Sequence, residues 1–155
     1  MGSQSASVFS AESVVKFSGT RTRVPVTLTE NSWSDEAIQR LEQLVRLPPG
    51  WDGYYGQPVS LVNASFALAM LDVICAPEAR PPQIVPGSEG DLQIEWHTRQ
   101  GDLELHIKAP NDVHAWFERT GAEGISKDLK TDFAVAVDWV MAIAAESTSG
   151  NAVAA

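Results

Sequence analysis

A chain of 155 residues, 44% hydrophobic and 20% charged, has the length of one domain and a near-average globular composition, which excludes wholesale disorder. The net charge of −9, from 20 acids against 11 Lys and Arg with no basic cluster, argues against direct nucleic-acid binding, because phosphate contacts rest on clustered cations. Cys75 is the sole cysteine, so no disulfide forms within the chain, and no apolar stretch approaches the ~20 residues that a membrane-spanning helix needs. With no basic-then-apolar signal at the start, the expected setting is cytoplasmic.

Residues 1–20 are rich in Ser and small residues and read as a mobile N-terminal arm, 21–146 as a single α+β domain, and 147–155 as a disordered tail. Val24, Val26 and Leu28 alternate with polar residues, which predicts a strand over 22–29 that Pro25 confines to a sheet edge. A first helix follows. Ser32 or Ser34 is its expected cap, Asp35 and Glu36 suit its N-terminal dipole, and Ile38, Leu41, Leu44 and Val45 share one face until Pro48 and Pro49 end it.

Leu47 to Pro58 packs three prolines, three glycines and three aromatics between two helical patterns. Large rings repay ordering when they bury area, so the stretch reads as a structural loop built on Gly50, Trp51, Asp52, Gly53 and Tyr54. Asp52 is its expected turn or cap residue. A second helix then runs from Pro58 to about Ala76. Leu61, Val62, Phe66, Ala69, Met70, Val73 and Ile74 leave it so little polar surface that it should be central and packed on several sides.

Beyond the Pro81-Pro82 hinge comes a meander: strands at 83–85, 92–97, 103–108 and 113–118, separated by turns. A last helix is expected from Lys127 to Ala145, capped by Ser126 and striped with Leu129, Phe133, Val137, Val140 and Ala144. The fold class expected is α+β: an antiparallel meander sheet of three to five strands with about three helices on one face.

The run Leu-Pro-Pro-Gly-Trp-Asp-Gly-Tyr at 47–54, the Pro81-Pro82 hinge and the strand Leu92-Gln-Ile-Glu-Trp96 together resemble a group of small bacterial and mobile-element proteins with a Gly-Trp-Asp-Gly signature. The likeness covers roughly residues 40–118, with Tyr55 where a small residue is expected. The group has no established activity, so the resemblance implies a fold and a mobile-genome setting rather than a mechanism.

Serine-elbow, P-loop, dinucleotide-loop and zinc-protease motifs are all absent from the sequence, so no catalytic residue and no cofactor are expected. The charge is uneven: residues 1–46 balance five acids with five bases, whereas 88–128 hold nine acids and four bases. For the alternating apolar residues of the meander to share one face, Glu95 must oppose Glu104, Gln93 must oppose His106, and His106 and Glu104 must in turn oppose His114 and Trp116. Glu95, Glu104, His106, His114, Trp116 and Glu118 are therefore the expected partner-binding set, facing another protein's basic surface. The function expected is a non-enzymatic interaction module of inhibitor, antitoxin-like or anti-defence type. Two alternatives stand beside it: a metal-dependent hydrolase using Glu95, Glu104, His106 and His114, and a small-ligand binder using the 47–58 loop. The sequence leaves the oligomeric state open.

Overall fold

The computed structural model describes residues 31–144 and the backbone of two short strands before them. Those strands, β1 (Val15–Lys16) and β2 (Arg23–Val24), pair antiparallel. The rest of the expected 22–29 strand, the N-terminal arm apart from Val15–Lys16, and the C-terminal tail lie outside the described residues.

A five-stranded antiparallel meander carries the fold: β3 (Gln83–Pro86), β4 (Leu92–Thr98), β5 (Gly101–Ala109), β6 (Asp112–Arg119) and β7 (Ile125–Asp128), in that spatial order. Three helices, α1 (Ser34–Val45), α2 (Leu61–Ile74) and α3 (Ala134–Ile143), supply the other layer. The architecture is α+β. Ile94, Leu105 and Ala115 line up across β4, β5 and β6, and all three are fully buried with Leu41, Leu44, Leu68 and Leu71 of the helices. Period-2 alternation thus puts one face of the sheet into the core and, among the described residues, leaves the other without a helix over it.

Helix α1 starts differently from the sequence expectation. Trp33 occupies the N-cap position without a capping bond; Ser34 Oγ donates to the Asn31 carbonyl, and Ser32 Oγ to those of Pro77 and Ala79. Trp33 is fully buried, and its Nε1–H has no partner among the described residues. Farther along, Arg40 Nε donates to Ile84 O at 2.9 Å, covering part of the edge of β3.

Helix α2 is shorter than the expected 58–76, because Ser60 is its N-cap, with Oγ accepting from Asn63 N. Asn63 is buried and its amide donates to Gly90 O and Lys108 O, tying the first turn of α2 to the sheet. The expectation of packing on several sides fails for one stripe: Val62 and Val73 are 63% and 62% exposed, and Ala69 lies open between them.

The last helix is shorter than expected. Lys127 and Asp128 belong to β7, whose residues pair with β6, and Ser126 caps nothing. The Leu129 amide continues the ladder to Val113 O, and Asp132 Oδ1 accepts from Ala134 N to start α3. Among the described residues, no helix is long and apolar enough to cross a membrane.

Candidate functional site

Two regions hold the residues singled out from the sequence: the helix-free face of the sheet and the loop between α1 and α2.

On the sheet, the expected register is the observed one. Glu95 pairs with Glu104, Glu104 with Trp116, Gln93 with His106, and His106 with His114. Strand β7 extends both rows, bringing Ser126 opposite Trp116 and Asp128 opposite His114. The facing carboxylates do not stand unsupported. The Gln93 amide donates to Glu95 Oε1 at 2.8 Å and to Glu104 Oε2 at 3.2 Å, so one neutral side chain links the two.

Each histidine has its own carboxylate. His97 contacts Asp102 Oδ1 through Nδ1 at 3.0 Å and Glu95 Oε2 through Nε2 at 3.1 Å. These contacts, Glu95 first, raise its pKa above the ordinary imidazole value. His106 Nε2 lies 2.5 Å from Asp91 Oδ2. Partial burial pushes the Asp91 carboxyl upward, but the His106 hydrogen bond and the Glu89 and Asp91 amides outweigh it and hold the pKa below its usual value. His114 bonds Asp128 through Nδ1 at 2.8 Å and Ser126 Oγ through Nε2 at 2.8 Å; the His114 bond lowers the pKa of Asp128.

This partnering separates the residues of the metal alternative. His106 and His114 sit opposite each other in the ladder, yet each turns a ring nitrogen to its own aspartate. Among the described residues, no three His, Cys, Asp or Glu side chains gather as metal ligands would. Asp91, Asp128 and Ser126 were missed in the sequence because they lie in a turn and in a strand read as helix; extending the register one strand further would have found the last two.

Trp116, on β6 beside the edge strand β7, is 38% exposed on this face. Its ring lies against Gly124, where a Cβ would collide with the indole. Around it, Glu95, Asp102, Glu104, Glu118 and Asp128 occupy alternating or paired positions, with Lys108 the basic residue at the end of the same row of β5.

The 47–58 loop is ordered mainly by its backbone. Gly50 N donates to Gly56 O at 2.7 Å, Gly53 N to Gly50 O, and Trp51 Nε1 to Gln57 O at 2.8 Å. Asp52 Oδ1 accepts from Tyr54 N and Gly56 N, both at 2.9 Å, and these bonds keep its carboxyl below the usual range. Gly50 and Gly53 take φ of +78° and +82°, and a Cβ on Gly56 would come within 2.6 Å of Asp52 Cγ, so these glycines are required by the turn itself. Gln57 N, bonded to Ser88 O, and the Gln57–Glu89 bridge join the loop to the turn before β4.

The burial expected of the loop's rings holds only partly. Trp51 is half-buried, but Tyr54 and Tyr55 are 81% and 92% exposed. They border an open concavity of about 460 Å³ shared with Asp52, Ser88 and Glu89.

Compared with known protein families, curated proteins and solved structures, the chain matches none.

Proposed function

We propose that the open face of the sheet docks on a basic surface of another protein, in a cytoplasmic role of inhibitor, antitoxin-like or anti-defence type. The observation that carries this reading is Trp116, a large ring left 38% exposed on β6 beside Glu104 across the ladder and Glu118 on its own strand. Tryptophans are enriched among the residues that anchor interface centres, and a field of one sign speeds association more than it deepens affinity. The charge also suits a target site that itself binds nucleic acid. With the partner in hand, Glu95→Lys with Glu104→Lys slows association and flattens its salt dependence, whereas Trp116→Ala chiefly speeds dissociation. Binding indifferent to both changes contradicts the proposal.

A second reading has one specific observation behind it. His114 contacts Asp128 Oδ1 through Nδ1 and Ser126 Oγ through Nε2; with the proton on Nδ1, that nitrogen donates to Asp128 and Nε2 accepts from Ser126 O–H, the hydrogen-bond order of a serine hydrolase. In such a reaction Ser126 Oγ attacks an ester carbonyl, His114 takes the hydroxyl proton and returns it to the departing alcohol, and water then releases the acid. Exposure weighs against it: the side chains of His114 and Asp128 are 50% and 74% exposed, so water competes for every bond. A fluorophosphonate probe that labels the wild type, but neither Ser126→Ala nor His114→Ala, would place this reading first; no labelling removes it.

A further inference from the structure

The rigidity of the 47–58 loop and the exposure of its two tyrosines call for a common explanation. Folding does not need these rings: backbone bonds, Asp52 and the Trp51 indole already hold the loop, and Gln57 anchors it to Ser88. Tyr54 and Tyr55 therefore stand on a preorganised platform, where a planar side chain with few rotatable bonds loses little freedom on binding. Beside them are two carboxylates, Asp52 and Glu89, and no Lys, Arg or His lines the concavity. Among the described residues no cation pairs with either acid. The lowered pKa of Asp52 keeps its charge in place throughout the neutral range.

We propose that Tyr54, Tyr55 and Glu89 form a docking site for an arginine-bearing segment of another protein, with the guanidinium against the tyrosine rings and its charge balanced by Glu89 and Asp52. A guanidinium suits this pairing of chemistries, because it stacks on aromatic faces and gives up its weak hydration more readily than an ammonium. The concavity of about 460 Å³ is open, fitting a side chain presented on a peptide rather than an enclosed small molecule. Because the loop joins the turn that leads to Asp91 and His106, a partner engaging it lies next to the sheet face. The site nevertheless rests on residues of its own and stands or falls independently of that face.

The test is an amide-resolved NMR titration with a short acetylated and amidated peptide carrying two arginines. Its control is the same peptide with citrulline, which keeps the shape and loses the charge. The arginine peptide is expected to shift the amides of Tyr54, Tyr55 and Ser88. Affinity should fall at least about fivefold with citrulline and with the Tyr54→Ala/Tyr55→Ala double variant. Glu89→Gln should weaken binding in the same direction, while Glu95→Gln/Glu104→Gln should leave the loop shifts intact. An unchanged Trp51 indole proton resonance in the tyrosine variant confirms that the loop has kept its form. Equal binding of the citrulline peptide, no loop shift at any reachable peptide concentration, or shifts confined to the sheet face and lost with Glu95→Gln/Glu104→Gln would each overturn the proposal.

Discussion

Trp51 and Tyr54 lie in one turn of loop, yet they stand in opposite relations to the fold. Trp51 donates to Gln57 O and is half-buried, so Trp51→Phe should cost about 1 kcal/mol by removing that bond, and Trp51→Ala about 2 kcal/mol, less than a fully buried ring. Tyr54→Ala and Tyr55→Ala should each stay within about 0.5 kcal/mol of wild type. Gly56→Ala should cost more than either tyrosine change, about 2 kcal/mol, because the added methyl displaces the Asp52 carboxylate from two amides. Denaturant melts of the five variants check this order.

His97 adds a pH dependence of known sign. Its folded pKa is raised, so its contribution is fully present below the unfolded value and is lost as pH rises through the folded one. With the side chain 49% exposed, the effect should remain below about 1 kcal/mol. The stability difference between wild type and His97→Gln should therefore shrink as pH is raised from 6 to 8, and a difference that grows contradicts the pairing with Glu95 and Asp102.

At the scale of elements, what was legible in the sequence followed from periodicity. Leu92/Ile94/Trp96 and Leu103/Leu105/Ile107 admit one register that buries both sets, and the strands adopt it. Period says less about where an element stops. Leu129 and Phe133 fit a helical stripe by spacing, but the chain from 125 to 128 is an edge strand exposed at every residue, without alternation, and the local start signal was Asp132 rather than Ser126. The burial of the loop's tyrosines was not legible for a different reason: aromatic content alone does not imply burial where glycines and Asp52 order the backbone without the rings. The junction between layers is the buried amide of Asn63. Asn63→Ala should cost about 2 kcal/mol by stranding the carbonyls of Gly90 and Lys108, and Ser60→Ala about 1 kcal/mol at the cap, measured by thermal or denaturant unfolding.

For the whole molecule, the three described helices cover one sheet face and not the other, and the alternation that builds the core collects carboxylates, histidines and Trp116 on that second face. A surface evolved only for solubility has no need of a half-exposed tryptophan, and this is why the account places docking there. The most direct test is hydrogen exchange on the purified complex with its partner, compared with the free protein. The account expects new protection along 93–97, 102–106 and 114–118, and none along the exposed stripe of α2. A complex that leaves the sheet amides and Trp116 as accessible as in the free chain, with its protection on the helices instead, would contradict it.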